Sequence, residues 1–183
     1  VFESALERSR KDATPAVTQT LEVGVERLRE VLGEVRRISH DLRPALLDDL
    51  GLARALEHLA AQWSQDTGLR AHSDCVAPAR VPDAVATALF RVAQEALGNV
   101  ERHAQAQSVM LRLFEDERGA LVMTIDDDGR GFDVQAVAQS PRRGLGITHM
   151  RERIGSLGGR FEMAASATGT RVQAQFPAEA LQA

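Results

Sequence analysis

Cysteine is almost absent: Cys75 is the single one in 183 residues. An internal disulfide and a cysteine-built zinc site are therefore excluded, and a reducing compartment fits. An excess of positive charge is missing as well. Lys and Arg number 22 against 26 Asp and Glu, a formal net charge of −4. Surfaces that hold nucleic acid need a basic excess, so direct nucleic-acid binding is not expected. No apolar run approaches the roughly 20 residues that cross a bilayer as a helix, and no signal peptide is visible. The expected location is the cytoplasm, whether free or as the cytoplasmic portion of a membrane-anchored protein. The chain opens at Val1 rather than Met, so a piece of something longer is expected. What is present, 44% hydrophobic and 26% charged residues, is the composition of a soluble globular protein with length enough for a real core.

The first third reads as helix. A short amphipathic pattern runs from Val1 to about Arg10, and DATPA (12–16) interrupts it. Thr14 suits a helix cap, and Pro15 suits the first helical position, where a missing N–H leaves nothing unpaired. From Pro15 the pattern is unbroken to about Leu42. Leu21, Leu28, Val35 and Leu42 recur every seven residues, and Val25 and Leu32 fill the other seam position. That spacing lays one narrow apolar stripe along a long helix. A helical hairpin is the natural reading. Because two helices bury little alone, a homodimer that completes four helices is expected; the alternative is a hairpin packed on its own globular domain. Pro44 stops the helix. LLDDLG (46–51) reads as a short helical turn ending at Gly51, and residues 52–65 as another amphipathic helix. A turn in DTGLR (66–70) opens a second region, which puts a domain boundary at 66/67.

That second region alternates element types. Residues 69–76 read as a strand, 81–105 as a long helix, and 108–116 with 120–128 as an antiparallel hairpin about the turn at 117–119. Residues 146–159 read as a helix with a glycine stop, and 160–166 with 169–177 as a second hairpin. The fold class is α+β: a helical hairpin followed by an α/β sandwich, one mostly antiparallel sheet with helices on one face.

Three stretches carry chemistry. In QEALGNVERHA (94–104), Glu95, Asn99 and Arg102 share one helix face, with His103 beside them. A carboxylate and an amide oxygen suit a hydrated Mg²⁺, and a guanidinium suits phosphate; a solvated face with a chance Glu–Arg pair reads equally well in isolation. In TIDDDGRGFD (124–133), acids at a strand end precede Gly129 and Gly131. Glycines let backbone approach a ligand, and an Asp at such a corner can accept a hydrogen bond from an exocyclic amine. The bland reading is a strand-end turn; a calcium loop is excluded, because the Glu that closes one is missing. In RRGLGITHMRERIGSLGG (142–159), Gly144 and Gly146 precede a helix whose first N–H groups suit an anion. The stretch is neither a Walker loop, since no GKS or GKT follows, nor a Rossmann fingerprint.

The order of the three is more specific than any one of them: helix with Asn, strand-end Asp-x-Gly-x-Gly, then a Gly-rich loop into a helix, closed by Gly169–Thr170. In that order, residues 81–177 resemble the ATP-binding domain of sensor histidine kinases, whose fold is shared with gyrase-, Hsp90- and MutL-type ATPases. LFRVAQEALGNVERHA, DDGRGF, GLGITHMRERIGSLGG and GTRV resemble the two-component kinases typified by the nitrate sensor and DesK-like thermosensors. RRISHDLRPALLDDLGLARAL (36–56) is similar to that group's junction between helices and ATPase, so nearly the whole chain is covered. The resemblance implies ATP and Mg²⁺ as cofactors. It implies a helical dimerisation and phosphotransfer region over 1–66 and an ATP-binding domain over 67–183. It implies a response regulator with a helix-turn-helix output domain as partner. By the same resemblance Asn99 binds Mg²⁺ and Glu95 polarises or acts as base. Arg102 and His103 approach the phosphates. Asp127 takes the adenine amine, Gly129 and Gly131 shape the pocket, Gly144 and Gly146 belong to the lid and its hinge, and Thr170 closes the pocket behind the adenine. One departure is visible: the last motif usually reads G-x-G-T, and here Ala167 opens it.

His40, in SHDLRP (39–44), has two readings. It resembles the phosphoacceptor of the commonest histidine kinases, with Asp41 as assisting base. Its surroundings resemble instead the subfamily in which this stretch ends the second helix and the acceptor lies on the first. On that reading His40 is a junction histidine and the acceptor is expected upstream of Val1. Two other functions are compatible with the motifs: a dimeric nucleotide-binding module without phosphotransfer, and a serine kinase of the anti-sigma type, which the long helical region disfavours.

Overall fold

The structure, a computed structural model, describes residues 45–132 and 145–182. The predicted hairpin over residues 1–42, His40 and Gly144 lie outside the described residues.

Helix α1 spans Ala45–Thr67 and is two helices in one, joined at Gly51 with φ 72° and ψ 172°. Only glycine adopts that conformation without strain, and the sequence break expected at Gly51 is this kink. Strand β1 (Arg70–Cys75) follows, then helix α2 (Asp83–Asn99). Val85, Leu89, Val92, Ala96 and the residues beside them recur at helical spacing and are buried. Each large side chain fully buried there contributes about 1.5–3 kcal/mol. The helix does not run on to residue 105 in α form, as the sequence suggests. Val100–Ala104 is a π-helical turn, and Gln105 ends it in the left-handed region at φ 54°. A widened turn of this kind re-aims the last carbonyls, and such turns gather at functional sites.

Strands β2 (Ser108–Glu115) and β3 (Leu121–Asp127) form the first predicted hairpin. Asp116 fixes its turn, its carboxylate accepting the N–H groups of Arg118 and Ala120, both at 2.9 Å. Helix α3 (Leu145–Gly155) and the hairpin of β4 (Arg160–Ser166) with β5 (Gly169–Phe176) complete the fold.

The sheet order is β1-β2-β3-β5-β4, with β1 and β2 parallel and every other pair antiparallel. Alternation decides which side faces the helices. Val109, Leu111 and Leu113 of β2, Met123 and Ile125 of β3, and Val172, Ala174 and Phe176 of β5 join the core with α1, α2 and α3. Cys75 ends β1 inside this core. Burial first, then the charges of Glu57 and Asp74, push its thiol up to about 12, so it stays a neutral, unreactive packing group.

The predicted boundary at 66/67 needs correction. One compact unit begins at Pro44, and Leu47, Leu52, Leu56 and Trp63 of α1 are part of the same core as the sheet. The amphipathic stripe of α1 is satisfied by the α/β layer. Among the described residues no helix is long and apolar enough to cross a membrane.

Candidate functional site

The polar face of α2 and its π turn carries the first cluster. Arg102 reaches back along the helix: its Nη2 donates to Asn99 Oδ1 at 3.1 Å and lies 3.5 Å from Glu95 Oε1. Glu95, Asn99 and Arg102 therefore do share a face. Glu95 and Asn99 are half-buried, and Arg102 is exposed. Gly98 gives the guanidinium its room, since a Cβ there would lie 3.2 Å from it. His103 is exposed, and its carbonyl accepts from Arg130 Nε at 3.2 Å.

The second cluster is the turn after β3, where three consecutive acids separate. Asp126 faces away from the helices and pairs with Arg171 of β5. Asp127 is next along the strand. The β3–β5 register pairs Ile125 with Val172 and Asp126 with Arg171, so Asp127 and Thr170 fall next, on the helix-facing side. Asp127 is half-buried, and its Oδ1 accepts the Gly129 N–H at 2.8 Å. Thr170 is buried at the start of β5. Asp128 turns the other way. Its Oδ1 accepts the N–H groups of Gln107 and Ser108 at 2.7 and 2.9 Å, and its Oδ2 accepts the Ser108 hydroxyl at 2.7 Å. Those hydrogen bonds, the Ser108 backbone one first, hold the Asp128 carboxyl below its ordinary range despite slight desolvation.

Close backbone approach explains the glycines. A Cβ on Gly129 would stand 2.4 Å from the Ala104 carbonyl oxygen. One on Gly131 would stand 1.9 Å from the Ser166 carbonyl oxygen, and one on Gly169 would stand 1.9 Å from the Asp127 carbonyl oxygen. The Asp127 turn is thus wedged between the end of the α2 π turn and the β4–β5 turn. Ala167 sits exposed in that second turn. The only non-glycine residue with positive φ among those described is Gln105, so the position where the family pattern has glycine makes no demand for it here.

The third cluster meets the first. Gly146, at the start of α3, lies so close to Glu95 that a Cβ would come within 2.4 Å of Glu95 Oε1. Bare backbone at a helix start is thereby set beside the carboxylate of α2. Sequence reasoning assigned no role to Gly98, Asp128 or Arg130. Only the spacing of Gly98 from Arg102, one helical turn, hinted at any of these contacts.

Glu95, Asn99 and Arg102 with Gly146 make one polar corner, and Asp127, Gly129, Gly131 and Thr170 make a second; α2 and its π turn link them. Hard oxygen donors, a guanidinium and an unobstructed helix start suit a metal-bound polyphosphate at the first corner. An acceptor backed by glycines suits a base amine at the second.

The chain is similar to known proteins in sequence and in fold. Over 162 residues the chain is 43% identical to the sensor histidine kinase MctS of Rhizobium johnstonii, covering 88% of this chain and 35% of that protein. It is 37% identical to the signal transduction histidine-protein kinase/phosphatase UhpB of Salmonella typhimurium, covering 80% and 29% of the two. The chain thus spans about a third of the length of these curated relatives. Among solved structures, the histidine kinase domain of a blue-light activated histidine kinase of Erythrobacter litoralis shares the fold with a TM-score of 0.61 at 24% identity, over 70% of this chain and 61% of that one. Residues 84–180, which hold both corners, match the family described as histidine kinase-, DNA gyrase B-, and HSP90-like ATPase, and the chain belongs to that family.

Proposed function

We propose that this chain is the ATP-binding core of a two-component sensor histidine kinase. It would hold Mg-ATP while the γ-phosphoryl passes to a protein histidine, and from there to an aspartate of a response regulator with a helix-turn-helix output domain. The observation that carries this reading is the seating of Gly146 against Glu95 beside Asn99 and Arg102. It brings a phosphate-suited helix start to a metal-suited helix face. The kinase similarity of the relatives supports it. The unit would act in the cytoplasm and within a homodimer.

The donor set fits Mg²⁺. Among the described residues no cluster of three His, Cys, Asp or Glu side chains could hold a metal alone. Mg²⁺ bound with a nucleotide needs only one or two protein oxygens, because phosphates and waters complete it. Asn99 Oδ1 would hold the ion, with Glu95 beside it. When bound, the ion would neutralise charge developing on the phosphates. The chain's own residues do the rest. Arg102 leaves Asn99 and Glu95 to meet phosphate oxygens, with His103 near them. Glu95, released from Arg102, orients or accepts the proton of the attacking group. Asp127 accepts from the adenine amine, Gly129 and Gly131 admit the base, and Thr170 closes the pocket behind it. By the family resemblance Gly144 and Gly146 would belong to the lid over the phosphates and its hinge. Apart from the acceptor histidine, which forms the bond to phosphorus as ADP leaves, the residues act by positioning and charge stabilisation.

The test is incubation with Mg²⁺ and γ-labelled ATP, with His40→Gln alongside, after nucleotide binding has been measured for both. Binding of ATP that depends on Mg²⁺ is expected, without acid-labile label on His40. Label in the unmodified chain that His40→Gln abolishes would make His40 the acceptor. Failure to bind ATP would refute the reading altogether.

A further inference from the structure

The turn that carries Asp127 is fastened to the start of β2 and to the end of the α2 π turn by contacts that recognition of a base does not itself require. Asp128 accepts three hydrogen bonds from Gln107 and Ser108, filling both of its oxygens. The Asp128 N–H donates to the Ser108 carbonyl at 3.3 Å, and the Arg130 N–H donates to the Ala104 carbonyl at 2.9 Å. Arg130 Nε adds a bond to the His103 carbonyl at 3.2 Å. Between these, Gly129 lies flat against Ala104 with no room for a side chain. The carbonyls of His103 and Ala104 end a helical segment and have no further turn to accept from. Arg130 caps them with a donor and a positive charge, which a helix C-terminus favours.

We propose that Asp128 is a positioning residue: its carboxylate straps the turn bearing Asp127 to the start of β2, just beyond the end of the Asn99 helix, so that discrimination of the base depends on it. This rests on the nucleotide-site reading above. Asp128 is exposed and points away from the corner formed by Asp127 and Thr170, so it cannot meet the base itself. Its influence passes through main chain. Asp127 and Gly129 flank it, and the Gly129 N–H is what orients the Asp127 carboxylate. Without the strap, Gln107 and Ser108 lose their shared acceptor, and the Asp127 turn is held by the end of the β2–β3 ladder at Val109, its own backbone bonds and the cap at Arg130.

Asn is a faithful replacement. Its Oδ1 accepts both main-chain N–H groups, and its amide donates to the Ser108 hydroxyl, which can accept instead. Ala removes all three bonds. The test measures equilibrium binding of ATP and of inosine triphosphate, which carries an oxygen where adenine has its amine. Both are titrated with Mg²⁺ against the 183-residue chain, Asp128→Ala and Asp128→Asn. The unmodified chain should prefer ATP. Asp128→Ala should lose about tenfold in ATP affinity, the scale of a lost hydrogen bond to a charged group, with a smaller loss for inosine triphosphate. The preference for ATP should therefore shrink, and Asp128→Asn should restore it. A residue needed only for folding would lower both affinities together. So an Asp128→Ala chain that keeps the ATP preference, at whatever affinity, overturns the proposal. If thermal melting shows that Asp128→Ala does not fold, Ser108→Ala removes one of the three bonds and should give an intermediate loss of preference; an unchanged preference there overturns it equally. A chain that binds both nucleotides without preference removes the Asp127 assignment and this proposal with it. A chain that binds neither removes the nucleotide-site reading itself.

Discussion

At the Asp127 end of the site backbone lies against backbone, whereas at the Glu95 end side chain lies against side chain. Gly131 and Gly169 touch carbonyl groups of neighbouring turns, and Gly129 lies on the end of the π turn. Glu95, Asn99 and Arg102 instead satisfy one another through rotatable groups, with Arg102 largely in solvent. The first arrangement is fixed before any ligand arrives. On the proposed reading the second would exchange partners when phosphate and metal enter, because Arg102 occupies the oxygens that a metal would need. A rigid end suits selection of a base, and an adaptable end suits chemistry on the distal phosphates.

This contrast is broken most forcefully at Gly131. An alanine there combines φ +58° with a Cβ 1.9 Å from the Ser166 carbonyl oxygen. The obstacle is main chain and cannot swing aside. Gly131→Ala should destabilise by about 3 kcal/mol or more, lowering the melting temperature by roughly 10 °C. Gly169→Ala should behave alike, for the same reason against the Asp127 carbonyl. A melting curve within a few degrees of the unmodified chain would show that this end yields as easily as the other.

At the adaptable end the prediction reverses. Asn99→Ala removes a half-buried polar group from a helix face, so melting without nucleotide should change by only about 1 kcal/mol or less. The Mg²⁺-dependent part of ATP affinity should fall by about tenfold or more, since the amide oxygen is the assigned metal donor. Equal affinity with and without the substitution, measured by titration at fixed Mg²⁺, would strike out that assignment.

Gly146→Ala sharpens the comparison further. Its Cβ would come 2.4 Å from Glu95 Oε1, but this neighbour is the far end of a flexible side chain. Glu95 can turn away for about 1 kcal/mol or less. Stability should barely move while phosphotransfer, measured in a longer chain that carries the acceptor histidine, falls by about tenfold if Glu95 has the base or polarising role. Loss of folding, or full activity, would each contradict the picture of a displaceable carboxylate.

The two ends were unequally legible in the sequence. Period-two alternation in VMLRLF (109–114) and helical spacing through Val85, Leu89, Val92 and Ala96 are local, so the sheet and α2 could be read directly. Glu95, Asn99 and Arg102 were placed on one face by helix geometry alone. The acids at 126–128 look interchangeable in sequence; their roles follow from the strand's alternation and from what stands opposite, Arg171 for one and Ser108 for another. The contact between Gly146 and Glu95 joins residues 51 apart in number, and no local pattern encodes it. The stripe of α1 indicates an amphipathic helix without saying what covers it, so the sequence alone suggests a boundary at 66/67, whereas the compact unit begins at Pro44.

The smallest effect concerns Asp128 and acid. Its carboxyl titrates below the ordinary value of 3.8 in the folded chain because Ser108 and Gln107 donate to the charged form. The unfolded chain therefore binds this proton more readily. Asp128 stabilises the fold above its unfolded value, and that contribution is lost as pH falls through the lower, folded one. The group is exposed, so solvent screening keeps the effect small. Asp128→Asn keeps the strap but cannot titrate. The melting temperatures of the two chains should differ most near neutral pH, with the unmodified chain the more stable, and converge as the pH falls below 3.8. A constant offset across that range would mean that the carboxylate charge adds nothing to the strap and that its hydrogen-bond geometry alone secures the rigid end.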